Sequence, residues 1–404
     1  MNMITALANG ALIAAGGIAL LLCAFLLLEC IAGLRRSASP QETNPSPTES
    51  DVRFSILMPA HNEAAGIEQT LSSLMPHVGP MGDVLVVADN CTDDTAALAR
   101  QSGARVIERH DAERRGKGYA LAAGVEALRS APPAVVIILD ADCTVTVGSI
   151  QQIAQAAHQQ QTPVQAVYRM LPSAKAGPAQ RVGAFAWRVK NELRAAGAQR
   201  LGIPCPLMGA GMAFPWSVIA STRLASGNLV EDLQLGIDVA LAGTPARLRA
   251  DVVVESQLPD STQAAARQRA RWEHGTLSTI RQQVPRLLSA AVSGRRSHLM
   301  GMALDVALPP LAFFSMAVFA LTALQALWWL ATGLSAALLL GLTSLTLLLA
   351  TLVIAWWSVG REFLTAGELA QIPLYVLRKL PSYARWLLGR GERVWVRTDR
   401  GRKS

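Results

Sequence analysis

The chain has few of the residues that mark several common protein classes. Its 404 residues include five cysteines, Cys23, Cys30, Cys91, Cys143 and Cys205, and none forms a CxxC pair. An odd set cannot all pair within one chain, which argues against a disulfide scaffold. Reduced thiols in a cytosolic compartment are the expectation. Aromatic residues make up only 5%, too few for a base-stacking surface. No nucleic-acid-binding motif occurs, so nucleic acid is not an expected partner. His110, His158 and His274 form no cluster with metal-ligand spacing. Charged residues are scarce, 16% against 51% hydrophobic, and mean hydropathy is +0.29. That balance excludes an ordinary soluble enzyme and divides the chain between lipid and water.

The charge that is present is unevenly placed. Lys and Arg number 37 against 29 Asp and Glu, a net charge of +8, and many basic residues lie at 267–296 and 378–403 beside apolar stretches. This placement points to an anionic membrane surface, with a phosphate-bearing substrate as a second reason. Residues 3–28 carry no charge and exceed the ~20 residues needed to cross a bilayer. No positive n-region precedes them, and Arg35-Arg36 follow. The expectation for 1–36 is therefore a transmembrane helix with its N-terminus outside, not a cleaved signal. Residues 37–50, rich in Ser, Pro and Thr, read as a linker. Between 299 and 359 the chain is apolar again, long enough for two transmembrane helices divided near Gln325–Gly333. Trp328-Trp329 and Trp356-Trp357 would then lie at opposite interfaces. Arg295-Arg296 before the pair and Arg361, Arg378 and Lys379 after it place both flanks in the cytosol. The expected location is the inner (plasma) membrane, multi-pass, with a cytosolic catalytic domain. Asp305, just before Pro309-Pro310, reads either as a first helical turn at headgroup level or as a residue lining an acceptor path. The stretch 360–404 alternates basic residues with aromatics and leucines, as an interfacial amphipathic segment does.

Residues 51–262 have the pattern of an α/β domain. The apolar runs Phe54–Met58, Val84–Ala88 and Val135–Leu139 are short and bounded by polar residues, as buried parallel strands are. Helix-like stretches, Ile67–Leu74 and Thr95–Ser102, lie between them, which argues a doubly wound sheet. Each strand ends in a polar cluster: Pro59-Ala60-His61-Asn62-Glu63, then Asp89-Asn90-Cys91-Thr92-Asp93-Asp94, then Asp140-Ala141-Asp142. Ligands bind at such strand ends. Asp140 and Asp142 can hold a hard cation or a ribose, and Mg2+ or Mn2+ there would bridge to a diphosphate. Asp89 can accept from a base or a ribose, and Asp93 or Asp94 reads as a helix cap. Lys117 stands in Gly116-Lys117-Gly118, which is not a Walker A loop because no Ser or Thr follows the lysine. Glu231-Asp232 offers a general base or a helix-capping pair. Gln268, Arg271 and Trp272 share one helix face at i,i+3 and i,i+4 spacing over 263–298. Arg271 there suits a diphosphate, Trp272 a sugar ring, and the bland alternative is a basic membrane-surface helix. Gly209 and Gly211 permit close backbone approach, and Gly211 is the candidate near an acceptor.

The run PAHNE, VVADNCTDDT, GKGYAL, LDADC, VEDLQLG and QRARW, in that order over 54–275, resembles the membrane-bound branch of the family 2 glycosyltransferases. That branch includes cellulose and hyaluronan synthases, ceramide glucosyltransferases and hopanoid-associated transferases. The resemblance implies a GT-A fold: an α/β, doubly wound, mostly parallel sheet, here with one N-terminal and two C-terminal transmembrane helices plus amphipathic interface helices. It implies a nucleotide diphosphate sugar, UDP-type favoured, bound by Pro59, Glu63, Asp89, Lys117, Asp140, Asp142 and Arg271. The metal, Mg2+ or Mn2+, would sit on Asp140 and Asp142. Asp232 would be the base of an inverting transfer, with Glu231, Gln268, Trp272 and Gly211 toward the acceptor. This chain has Ala88-Asp89 where the family often has two aspartates. A lipid or lipid-linked acceptor fits the membrane docking. Three spans favour single transfer over the alternative of a processive exopolysaccharide synthase. A nucleotidyltransferase and a non-catalytic subunit of a polysaccharide assembly complex agree less well with the intact motifs.

Overall fold

The computed structural model describes residues 3–34, 52–173, 176–226, 228, 230–258, 262–377 and 379–388. Linker residues 37–50, Arg35, Arg36, Arg378 and the end of the basic segment, 389–404, lie outside the described residues. The strands are β1 (Phe54–Ala60), β2 (Gly82–Asp89), β3 (Arg105–Arg109), β4 (Val135–Ile138), β5 (Thr144–Val145), β6 (Val164–Leu171), β7 (Met212–Pro215) and β8 (Arg247–Gln257). The helices begin with α1 (Met3–Leu34), α2 (Ile67–Leu74), α3 (Thr95–Gln101), α4 (Lys117–Leu128), α5 (Ser149–Gln160) and α6 (Pro178–Arg188). They continue with α7 (Ala195–Arg200), α8 (Trp216–Ile219), α9 (Glu231–Leu241), α10 (Thr262–Ser293), α11 (Ser297–Ala307), α12 (Leu311–Thr332) and α13 (Ala336–Ala355). Three short helices follow, α14 (Ala366–Ala370), α15 (Ile372–Leu377) and α16 (Leu380–Leu387). The chain forms two compact units, one of residues 36–180, 204–275 and 392–404, the other of 1–35, 181–203 and 276–391.

The first unit holds a mixed sheet of order β3-β2-β1-β4-β7-β6-β8-β5. Strands β1 to β4 run parallel, β7 is antiparallel to β4 and β6, and β6 with β8 is parallel again. The expectation of a mostly parallel sheet holds for the β3-β2-β1-β4 half, and the other half is mixed. The apolar runs become strands because both faces are covered: every residue of β4 and all but Pro59 of β1 are buried. Helix α4 lies close on β1, because a side chain at Gly124 would meet Leu57 Cδ1 at 2.2 Å. Helix α3 starts beside Asp93, whose Oδ1 accepts from the Thr95 backbone N–H at 3.1 Å and from the Thr95 hydroxyl at 2.5 Å. This takes up an otherwise orphan donor of the first turn.

The second unit contains three helices long and apolar enough to cross a membrane: Met3–Leu34, Leu311–Thr332 and Ala336–Gly360. The break between the last two falls at Gly333, which has the left-handed φ of +75° that glycine adopts freely. Gln325 and Trp328-Trp329, expected near the break, lie within α12. Asp305 is not in the first turn of a span. Leu308 is extended before Pro309-Pro310 and ends α11, because proline disfavours a helical predecessor and lacks an N–H. Asp305 therefore sits in the last turn of α11, where its Oδ1 accepts from Arg194 Nη2 at 2.5 Å. Arg194 Nε also donates to Glu29 Oε2 at 2.8 Å, near the end of α1. Glu29 is fully buried, so the uncharged run 3–28 continues into a helix with one neutralised carboxylate. Gln325 Nε2 donates to the Leu12 carbonyl at 3.1 Å, and Thr322 Oγ1 to that of Gly341 at 3.2 Å. Such polar bonds tie these apolar helices to one another.

Candidate functional site

One cavity is lined by Pro59, Ala60, His61 and Glu63 after β1, Asp89 at the end of β2, Gly116, Lys117 and Ala120 of α4, Asp140-Ala141-Asp142 after β4, and Gln268 and Arg271 of α10. It lies where the carboxyl ends of β1, β2 and β4 meet, as expected for an open α/β sheet. Each wall has a local cause. Asn62 and Asn90 take left-handed backbone, φ 55° and 52°, and turn the chain sharply after β1 and β2. Asn62 Oδ1 accepts from Thr92 N at 2.7 Å, and Glu63 N donates to Thr95 Oγ1 at 2.8 Å, so the two loops hold each other. Gly116, at φ +124°, allows the turn that starts α4 at the cavity wall, where its N-terminal dipole favours an anion.

Asp89 is 6% exposed. Its Oδ1 accepts from Arg109 Nη1 at 2.5 Å and from Asn90 Nδ2 at 3.1 Å. Arg109 is itself fixed by Asp111 Oδ2 at 3.1 Å and the Arg114 carbonyl at 2.7 Å. Sequence reasoning missed Arg109, since β3 has no apolar run to announce it.

Lys117 is not a solvated loop charge. Its ammonium bonds Asp140 Oδ1 and donates to the Gly209 carbonyl at 2.7 Å. Burial works against its charge, but Asp140, Glu231 and Asp232 more than offset this and hold its pKa above the usual lysine range. Glu231 and Asp232 do not line the cavity; they reach its wall through Lys117 and Gly209. Burial, and then the negative charge of Asp232, push Glu231 up to about 7, against the pull of Lys117. Asp232 Oδ1 accepts from the Leu233 N–H at 2.8 Å at the start of α9, so this pair also opens a helix.

Gln268 is 4% exposed, and its Oε1 accepts no hydrogen bond from the described residues. A donor on a bound molecule would complete it. Arg271, three residues on, lines the same wall, whereas Trp272 is half-buried and does not. Gly211 is not among the residues that line the cavity. A side chain there would meet Val254 Cγ2 at 2.9 Å and Ala166 Cβ at 3.1 Å, inside the sheet. At Gly209, φ +94°, a Cβ would lie 3.3 Å from Asp232 Oδ2 and 3.6 Å from Lys117 Nζ.

Asp140 and Asp142 provide two carboxylates, and the oxygens of Asp142 are closed off from solvent. Among the described residues no group of three or more His, Cys, Asp or Glu forms a cage for a metal ion. Two carboxylates without a cage suit Mg2+ or Mn2+, whose remaining positions substrate phosphates and water complete. The ammonium already on Asp140 shows that the pair draws positive charge.

Several known proteins are similar. Over 95 residues the chain is 39% identical to glucosyl-3-phosphoglycerate synthase of Mycobacterium tuberculosis, a match covering 22% of this chain and 28% of that protein. Over 101 residues it is 35% identical to glycosyltransferase AglD of Haloferax volcanii, covering 22% of this chain and 16% of that protein. The chain thus spans under a third of the length of these curated relatives. Its fold is like that of the mannosyltransferase PcManGT from Pyrobaculum calidifontis, solved with GDP-mannose and Mn2+, with a TM-score of 0.54 at 21% identity, over 90% of this chain and 98% of that one. Residues 52–275 match the family described as glycosyltransferase like family 2. The match covers more than half of the chain and all the elements that line the cavity, and the chain belongs to that family, with a GT-A-like α/β fold.

Proposed function

We propose that this chain transfers a sugar, with inversion, from a nucleotide diphosphate sugar to a hydroxyl of a membrane-associated, lipid or lipid-linked acceptor. The observation that carries the reading is the meeting in one cavity of Asp89, Lys117, Asp140, Asp142, Gln268 and Arg271, which come from separate parts of the chain. The base and ribose of the donor, UDP-type favoured, lie toward Asp89, Pro59 and Glu63. The diphosphate lies toward the N-terminus of α4, with Lys117 and Arg271 offsetting its charge as it leaves. Asp140 and Asp142 would hold Mg2+ or Mn2+, which would supply positive charge to offset that of the leaving diphosphate. Asp232 takes the proton of the attacking hydroxyl, and Glu231 beside it steers the acceptor with Gln268 and Trp272.

Three apolar helices support a membrane setting, with α1 near the N-terminus and α12 and α13 later. With Arg295-Arg296 ahead of α12 in the chain, the positive-inside rule favours the α/β unit in the cytosol at the inner membrane. Transfer of a single sugar is favoured because three spans are few for a polymer channel. The test is a screen of UDP- and GDP-sugars for Mg2+- or Mn2+-dependent release of nucleoside diphosphate, with lipid extract as acceptor. One donor should be consumed with metal and spared with chelator. If no nucleotide sugar bound under any metal, the reading would fall.

A further inference from the structure

Lys117 is held in a way that a phosphate-binding role alone does not require. Its ammonium bonds one oxygen of Asp140 and the carbonyl of Gly209, and the side chain is 16% exposed. Asp232 Oδ2 and Lys117 Nζ both lie within 4 Å of the point where a Gly209 side chain would begin. One ammonium thus serves the carboxylate of the donor cavity and the carboxylate pair that would act on the acceptor. The grip on Asp140 engages one of its two carboxylate oxygens and offsets the negative charge that a divalent cation would seek.

We propose that Lys117 is the resident counter-cation of Asp140, which it must surrender before that carboxylate takes a divalent cation, so that cation loading and nucleotide binding become interdependent. A cation arriving alone meets a positive charge already on its ligand and binds weakly. A diphosphate offers the ammonium new acceptor oxygens, releases Asp140, and brings its own negative charge. Lys117 then has Gly209 O and the side of Glu231 and Asp232 as its remaining protein partners. This inference rests on the reading of Asp140 and Asp142 as the cation ligands.

The test uses the full chain in detergent and MnCl2 alone, with free Mn2+ followed by electron paramagnetic resonance. In Lys117→Met, which keeps length and removes charge, Mn2+ should bind about tenfold or more tightly without nucleotide. Addition of UDP or GDP should tighten Mn2+ binding in the parent and much less in the variant. Lys117→Arg, which retains the charge, should bind Mn2+ as weakly as the parent and serves if Lys117→Met does not fold. Combining Lys117→Met with Asp140→Asn should abolish the gain. Unchanged or weaker Mn2+ binding in Lys117→Met, or tighter binding in Lys117→Arg, overturns the inference. Loss of all Mn2+ binding is reserved for Asp142→Ala; if that variant binds as the parent does, the assignment of the metal ligands fails instead.

Discussion

Gly209 and Gly211 stand two residues apart and answer to different neighbours. Both have left-handed backbone, φ +94° and +69°, so alanine at either costs about 1–2 kcal/mol from strain. In Gly209→Ala the new methyl also crowds Asp232 and Lys117. The expected outcome is a transfer rate lower by about tenfold or more, with folding nearly preserved. In Gly211→Ala the methyl strikes Val254 and Ala166, adding an overpacking cost of about 1–3 kcal/mol. Its melting temperature should fall further than that of Gly209→Ala, while the rate per folded molecule holds. Thermal unfolding and transfer assays on the two variants separate these outcomes. Asp232→Asn should keep donor binding and lose transfer by about 100-fold or more. Glu231 gives a pH dependence. Its folded pKa of about 7 exceeds the ordinary 4.5, so the folded state holds the extra proton between these values. The stability this contributes is present at low pH and lost as pH rises through about 7. Unfolding midpoints measured from pH 5 to 8 should show this slope in the parent and not in Glu231→Gln.

At the scale of elements, the close seat of α4 on β1 sets a further expectation. Gly124→Ala should destabilise the fold by about 1–3 kcal/mol, read as a lower melting temperature, because Leu57 must move. The elements that the sequence makes legible are those with strong local patterns. Helix α2 has the bounds that the pattern predicts, α3 ends one residue early, and β1, β2 and β4 contain most of the apolar runs. Their ends carry the motif residues, so Asp89, Asp140 and Asp142 are recognisable as one site. Strand β3 escapes because Arg105, Glu108 and Arg109 break its apolar pattern at the edge of the sheet. Strand β8 escapes because its first half is polar. The grip of Lys117 on Asp140 and of Arg109 on Asp89 joins residues 23 and 20 positions apart, and no periodicity reports such a pairing. Three arginines between α6 and α7 are held by carboxylates: Arg181 by Glu368, Arg188 by Glu192 and Glu362, and Arg194 by Glu29 and Asp305.

At the scale of the whole molecule, the proposed topology predicts a labelling pattern. A membrane-impermeant thiol reagent should reach Ile4→Cys in intact cells and Glu68→Cys only after lysis. Labelling of Glu68→Cys from outside would overturn the cytosolic assignment. Arg194→Met should cost about 3–5 kcal/mol, because Glu29 and Asp305 would stay buried without a counter-charge; a fall in melting temperature in detergent checks this. Residues 181–203 belong with α1 and 276–391, yet in sequence they interrupt the α/β unit. Gly197 faces the Glu29 carbonyl so closely that a methyl group would lie 1.9 Å from it. No single cut in the chain therefore separates the α/β unit from the three long apolar helices. A truncated chain starting at residue 52 would be synthesised with 181–203 bare, and with Phe185, Val189 and Leu193, otherwise buried beside Cys23, Leu26 and Cys30, open to water. In the intact chain α1 leaves the ribosome first, and the seat is waiting when this segment emerges.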